Sequence, residues 1–297
     1  MKYLLTILLL AASAVGSAAE TIKIYSPYSA AHSGTPAMLR IVEQANSSQN
    51  IYRFVLEFRP GGNQLIAIKS IDPENSLAVI APSFVEHTAS GLLNRNDYVP
   101  VHSLGDACWA VITNKPLPGS RDFTVGGVAF GNATHLSALS LGEKYKFNVR
   151  YIVFKSNNDA LINLAGNHGV ELVIDKFEAY QALKEKNKNM QVVAASCPGR
   201  LPQIPHVTTL QELGVNAPYI FNITVSHIKM NPARRQAISI ILNDATVKLG
   251  QDEIFKLSAM RPPVFDNKSD LKFFTDSIES VSKLQARFKA QVTADKQ

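Results

Sequence analysis

Short apolar runs alternate with stretches of helical periodicity along most of this chain. Three such runs, Val125–Phe130, Val149–Phe154 and Val170–Ile174, are separated by two helical patterns. Each run ends in polar, hydrogen-bonding residues: Gly131-Asn132-Ala133-Thr134-His135, then Lys155-Ser156-Asn157-Asn158-Asp159, then Asp175. The pattern predicts a strand–loop–helix–strand–loop–helix–strand unit. Ligands of open parallel sheets bind at the carboxyl ends of strands, where helices also begin. A small-molecule site is therefore expected on these loops.

The same alternation starts earlier in the chain. A strand over Thr21–Tyr25 runs into the loop Ser26–Pro36, and a helix follows from about Pro36 with Met38, Leu39, Ile41 and Val42 on its apolar face. Thr35 suits the N-cap, and Pro36 suits the first turn, where its missing N–H costs nothing. Tyr52–Phe58 reads as a strand ending in Arg59-Pro60-Gly61-Gly62-Asn63, followed by a helix over Gln64–Ile71. Leu77–Ile80 is another strand and ends at the turn Ser83-Phe84. Repeated β-loop-α units imply a parallel sheet with crossover helices. Around Tyr98–Thr113 two strands lie close together, Tyr98–Leu104 and Cys108–Thr113, as in a passage from one domain to the next. Further strands are expected at Val192–Ala195 and Tyr219–Val225. Asn231-Pro232 then opens a helix with Ile238, Ile241, Leu242, Ala245 and Leu249 on one face. A last helix is expected from Asp270, capped by Ser269, with Leu271, Phe274, Ile278, Val281, Leu284 and Phe288 in one stripe.

Composition narrows the class. Met1–Ala19 has a lysine, then an apolar stretch over Tyr3–Ala12, then the small residues Ser17-Ala18-Ala19. That is the pattern of a secretory signal peptide cleaved before Glu20, too short for a membrane span. No cysteine lies nearby to accept a lipid anchor. The chain has 297 residues, enough for two α/β domains after the leader. Its net charge of +6 is mild. The densest basic run, Lys184–Lys188, contains a glutamate and reads as a solvated helix end, so nucleic acid is not an expected partner. The two cysteines, Cys108 and Cys197, lack CxxC spacing, so no metal or cofactor is expected. An oxidising compartment would permit them a disulfide, and two buried thiols are the alternative. No GxSxG, HExxH or Walker loop is present, and no enzyme is expected, although Ser, His and Asp do occur in the loops.

Several segments together resemble the TctC or Bug family, the solute-binding proteins of tripartite tricarboxylate transporters. Glu57-Phe58-Arg59-Pro60-Gly61-Gly62-Asn63 resembles the family's ENRPGAGGN loop, and Asp97-Tyr98-Val99-Pro100-Val101 its DFAPV. Gly131-Asn132-Ala133-Thr134-His135-Leu136 resembles its GSSSHL, and Phe154-Lys155 with Leu164-Ala165-Gly166 its YKG and LLGG. Asp175 falls where the family has an aspartate, and Leu201–Leu210 resembles LPDVPTVAE. The resemblance implies a type II periplasmic binding protein: two α/β domains, a central cleft, and crossover strands at the hinge. It places residues 20–105 with 222–297 in a discontinuous first domain and 106–221 in the second. It implies a monomer that captures a small organic acid or amino acid, closes on it, and docks on membrane transporter subunits. A sensor docking on a membrane receptor, or a secreted enzyme on the same scaffold, is the alternative. Crossover passages lie side by side in this fold, which makes Cys108 and Cys197 candidates for a disulfide near the hinge.

Carried over by position, the ligand-facing candidates are Tyr28, Ser29, Ser33, Thr35, Asn63, Ser83, Phe84, Asn132, Thr134, His135 and Asp175. The hydroxyls and Asn132 serve equally well as helix caps. His32 reads as a solvated loop residue, and His135 as either a contact or a packing residue. Asp175 reads as a helix N-cap or as a partner for a ligand amine or hydroxyl. A bare dicarboxylate would be repelled there. Arg59 reads as a brace for its loop, and Tyr28 and Phe84 as cleft walls or core. The chain departs from the family at two loops: Ser29–Pro36 is longer and poorer in glycine, and the loop at Gly61-Gly62 is shorter.

Overall fold

The computed structural model describes residues 19–30, 34–89, 91–107, 109–117, 119–196, 199–201, 203–218, 220–250, 260–261 and 267–295. Residues 1–18 of the expected leader, His32, Ser33, Cys108 and Cys197, and with the last two the expected disulfide, lie outside the described residues. In chain order the strands begin with β1 (Glu20–Ser26), β2 (Tyr52–Phe58), β3 (Ser76–Ile80) and β4 (Tyr98–Ala107). Then come β5 (Trp109–Thr113), β6 (Asp122–Gly127), β7 (Asn148–Val153), β8 (Leu172–Lys176) and β9 (Gln191–Ser196). The last two are β10 (Ile220–His227) and β11 (Met260–Arg261).

These strands form two sheets, in the orders β11-β4-β10-β3-β1-β2 and β7-β6-β8-β5-β9. The parallel pairing expected from the repeated β-loop-α units holds within β1, β2 and β3, and within β6, β7 and β8. The strands at the passages break it. β10 runs antiparallel to β3 and β4, and β5 runs antiparallel to β8 and β9, so both sheets are mixed. Between the end of β4 and the start of β5 the chain leaves one sheet for the other within two residues. The β4–β10 ladder shifts register at Asn222/Ile223 and again at Thr224/Val225. Such irregularities bend and twist a strand locally, and here they sit beside the passage between domains.

Helices cover both faces of each sheet. Those before the first passage are α1 (Thr35–Ser48), α2 (Leu65–Lys69) and α3 (Ser83–Ala89). The second sheet carries α4 (Ala133–Tyr145), α5 (Asn157–Ala165) and α6 (Phe177–Leu183). After β10 come α7 (Pro232–Leu249), α8 (Asn267–Arg287) and α9 (Lys289–Ala294). Met38, Ile41 and Ala45 of α1 and Ile238, Leu242 and Ala245 of α7 pack with Ile22, Ile24 and Val79 on one face of the first sheet. Phe84, Val85, Ile223 and Val225 pack with Ile278, Val281 and Leu284 of α8 on the other. Each such aliphatic side chain, when buried, contributes about 1.5–3 kcal/mol. β3 is buried along its whole length because helices lie on both sides of it. α4 covers one face of the second sheet, and α5 and α6 the other. The two α/β domains meet behind the strand ends: Leu136 of α4 belongs to the same cluster as Phe84 and Val281.

Several helix starts differ from expectation. α1 begins at Thr35, so Gly34 is the N-cap and makes no side-chain cap bond. The Thr35 hydroxyl donates instead to the Ser29 carbonyl at 3.0 Å, closing the loop on itself. The N-cap position of α6 falls on Lys176 rather than Asp175, whose Oδ1 accepts the Lys176 N–H at 2.8 Å. α8 begins at Asn267, which puts Ser269 inside the helix. Asn231 does cap α7, accepting from the N–H groups of Ala233 and Arg234. The segment from Ser83 forms a helix rather than a simple turn.

Candidate ligand site between the two domains

The second domain contributes a turn and a helix N-terminus. β6 ends at Gly127, and a Cβ there would lie 1.7 Å from the Tyr151 hydroxyl. Glycine is what lets Tyr151, on neighbouring β7, cross the end of β6. Its hydroxyl meets Thr134 Oγ1 at 3.1 Å, and burial pushes its pKa up to about 12, which keeps it a neutral phenol. Gly131 then turns the chain with φ +76°, a conformation suited to glycine. Asn132, in an extended conformation, caps α4: its Oδ1 accepts from the His135 N–H and from the Thr134 hydroxyl, both at 2.9 Å. The buried His135 ring stacks on Tyr151 with centroids 4.1 Å apart, and Phe130 packs on both. The result is a rigid wall that presents the positive end of a 13-residue helix at the carboxyl end of a central strand.

The first domain contributes a different kind of wall. Four consecutive residues after β2, Gly61, Gly62, Asn63 and Gln64, have positive φ, and two of them are not glycine. Such a backbone persists only where surrounding contacts hold it, and three do. Asn63 Nδ2 donates to Glu86 Oε2 at 2.9 Å, His87 Nε2 meets the Asn63 carbonyl at 2.7 Å, and the Ser83 hydroxyl donates to Gln64 Oε1. The elements that carry this turn also meet the second domain: Leu65 and Phe84 pack in one buried cluster with Leu136 of α4. Arg59 is engaged beside it: its guanidinium donates to Glu57 at 3.0 Å and lies over the Tyr25 ring. Tyr28 is half-buried, and its hydroxyl donates to Asn222 on β10, tying the first loop to a strand of the passage. Burial raises the Tyr28 pKa well above its ordinary value.

The remaining candidates divide by burial. Asp175, 7 % exposed, sits at the carboxyl end of β8, between the ends of β6 and β5. Ser29 is exposed on the first loop, whereas Thr35 is buried. Phe84 packs as core. It is fully buried, meets Tyr98 edge-on at 5.5 Å, and belongs to the core behind the site. His135 is equally buried and acts within the wall rather than on its surface. Sequence reasoning missed Tyr151, Gln64, Glu86 and Asn222. Tyr151 had one legible sign, the Gly126-Gly127 pair at the end of the adjoining strand; the others had none beyond being polar. Among the described residues no group of His, Cys, Asp and Glu is placed to hold a metal ion, and no helix is long and apolar enough to cross a membrane.

No protein-family model matches the chain, and no curated protein matches it. Solved structures do. A TctC solute-binding protein from Polaromonas superposes with a TM-score of 0.72 at 18% identity, covering 90% of this chain and 98% of that one. MatC from Rhodopseudomonas palustris, with bound malate, gives 0.67 at 16% identity over 89% and 98%. The periplasmic binding protein BugD gives 0.65 at 16% identity over 91% and 97%. The fold is that of TctC and Bug solute-binding proteins. At these identities the likeness concerns architecture: two domains and crossover strands over nearly the full length of each solute-binding protein. An R. palustris protein with adipate is similar to the same degree, with a TM-score of 0.67 at 19% identity over 90% and 96%.

Proposed function

We propose that this chain is a TctC/Bug-type solute-binding protein, exported to the periplasm by residues 1–19. It captures a small carboxylate-bearing metabolite between its domains for the membrane subunits of a tripartite tricarboxylate-type transporter. The observation that carries the reading is the Asn132-capped N-terminus of α4, at the end of β6, on a helix whose Leu136 packs with Leu65 and Phe84 of the first domain. Backbone N–H groups and the helix dipole favour an anion there, by about 0.3–1 kcal/mol on a surface and up to about 2 kcal/mol when partly buried. Malate in MatC and adipate in the R. palustris protein support the same ligand class on this fold. Asp175 and Glu86 bias the rest of the site. A ligand that places an ammonium or hydroxyl near them is favoured over one that places a second carboxylate there.

A thermal-shift screen of malate, adipate, unsubstituted dicarboxylates and amino acids tests this, followed by calorimetry on the compounds that stabilise. A ligand at a hundred times its Kd adds about 2.7 kcal/mol to the folded state. The expected hit stabilises without being consumed, and turnover would make the protein an enzyme instead. Asn132→Ala is expected to weaken binding several-fold, because the turn that presents the α4 amides loses its bonds to the His135 N–H and the Thr134 hydroxyl. Asp175→Ala should weaken amine- or hydroxyl-bearing ligands most. Unchanged affinity in both variants would show that the site lies elsewhere.

A further inference from the structure

The turn that aims α4 at the cleft is held from behind by the C-terminal segment. Gly131 donates its N–H to His135 Nδ1 at 2.8 Å. A ring nitrogen that accepts a hydrogen bond carries no proton, so in the neutral imidazole the proton is on Nε2. Nε2 lies 3.1 Å from Asp295 Oδ2, a carboxylate oxygen that can only accept while ionised. The relay thus runs Asp295, His135 Nε2–H, His135 Nδ1, Gly131 N–H, with the imidazole wholly buried between them. The neighbouring contacts seat the same segment. Val292 Cγ1 would be 3.2 Å from a Cβ at Gly131, and Gln285 Nε2 is 3.5 Å from the Gly131 carbonyl. Arg287 pairs with Glu143 of α4. Ile278, Val281 and Leu284 anchor α8 in the first domain's cluster, while Phe288 and Val292 pack against clusters of both domains.

We infer that Asp295 is a positioning residue for the ligand wall: it sets the His135 tautomer, and His135 in turn fixes the Gly131 amide and the turn from which α4 departs. Without an acceptor at Nε2, the tautomer with its proton on Nδ1 becomes accessible. That tautomer presents an N–H to the Gly131 N–H, two donors facing one another, and the turn must open. The C-terminal segment therefore joins the second domain's wall to the first domain by a connection separate from β4, β5 and β10. The functional weight of the inference rests on the reading of this turn as ligand-facing. The relay itself does not.

The test compares full-length wild type, Asp295→Ala and Asp295→Asn; the asparagine keeps an acceptor oxygen. Long-range nitrogen–proton correlation spectra of His135 and amide exchange at Gly131 are the primary readouts. Wild type and Asp295→Asn are expected to show the Nε2–H tautomer and a protected Gly131 amide. Asp295→Ala should lose the single tautomer and exchange Gly131 at least tenfold faster, with the amides of β8 unchanged. A wild-type tautomer and wild-type Gly131 protection in Asp295→Ala would overturn the inference. So would faster exchange spread evenly over the second sheet, the mark of general destabilisation. Malate titration is the second arm. If malate binds wild type, Asp295→Ala should bind it several-fold more weakly and Asp295→Asn nearly normally; equal affinity in all three refutes the effect on the ligand wall. If neither malate nor any other carboxylate of the screen binds wild type, the proposed function is refuted, and the spectra and exchange still decide the relay.

Discussion

The two walls of the cleft are built on opposite principles. In the second domain's wall the backbone is relaxed, turning only at glycine, and the shape is imposed from outside. A well-capped helix starts from a glycine turn, and its buried histidine is tied at both ring nitrogens, one to that turn and one to Asp295. In the first domain the backbone itself is strained, with Asn63 and Gln64 left-handed, and the shape is held from within by Ser83, Glu86 and His87 of α3. The first kind of wall depends on packing and on distant residues. The second depends on a few local hydrogen bonds, each worth about 0.5–1.5 kcal/mol net. Damage to the second domain's wall should therefore be costly and spread, and damage to the first domain's wall cheap and confined.

Gly127→Ala is the severest test of that difference. Its Cβ falls 1.7 Å from the Tyr151 hydroxyl and 2.5 Å from the ring carbon that bears it, so Tyr151 must leave its place between Thr134 and His135. Overpacking of this kind costs about 1–3 kcal/mol and occasionally more. The expected loss is about 3 kcal/mol in urea unfolding, together with loss of carboxylate binding. Adding Tyr151→Ala should recover part of the stability without restoring binding. A Gly127→Ala protein of wild-type stability would show that the wall yields, contrary to the comparison.

Acid offers a second way to separate the domains. His102, on β4 of the first domain, is 2 % exposed and bonds Thr246 of α7 at 2.8 Å. Burial lowers its pKa from 6.5 to about 3. The unfolded chain therefore takes up this proton near pH 6.5 while the folded chain refuses it until near pH 3. Stability is full above the unfolded value and falls as pH drops through that window, by up to about 2 kcal/mol between pH 7 and 5. In the second domain, burial opposes ionisation of Glu171, but Lys115, the Thr124 N–H and Arg121 outweigh it and hold its pKa below the usual carboxylate value. Its contribution begins to fall only below about pH 4.5. Amide exchange at pH 5 against pH 7 should therefore show β1, β3 and β4 losing protection while β6 and β8 keep theirs. His102→Gln should remove that difference. Equal loosening of both sheets in wild type would mean that the domains unfold as one unit and that the contrast is confined to the walls.

How much was legible in the sequence cuts across that division. The start of α4 in the second domain's wall could be read because its signals are local: an apolar run, a glycine, and an asparagine before a helical pattern, each with a known conformational preference. Asn132 is accordingly the cap it resembles. The strand ends that place Asp175 were readable to within two residues. What stayed hidden depends on partners far along the chain. Nothing near His135 announces Asp295, 160 positions away, nor does anything near Tyr28 announce Asn222. The antiparallel course of β5 and β10 was missed because strand direction is set by the passage between sheets, which leaves no mark on residue pattern. Thr35 was read as a cap because its type suits one, yet its hydroxyl is drawn back to Ser29 by the loop before it.

The gentlest probe falls on the first domain's wall. Gln64 holds φ 77° and ψ −7°, a left-handed conformation that costs a non-glycine residue about 1–2 kcal/mol. Gln64→Gly removes that cost but also removes the bond from Ser83, worth about 1 kcal/mol, and enlarges the freedom of the unfolded chain. These terms nearly cancel, so unfolding should move by less than about 1 kcal/mol. Binding should respond differently, because glycine also frees the turn to leave the shape that Ser83 imposes. Calorimetry with whichever carboxylate the screen returns is expected to give several-fold weaker affinity at nearly unchanged stability. If affinity and stability both stay at wild-type values, the left-handed turn is merely tolerated, and the cleft is shaped by the second domain's wall alone. If both fall together, the turn is part of the first domain's core, and the contrast between a wall held locally and a wall held from a distance does not stand.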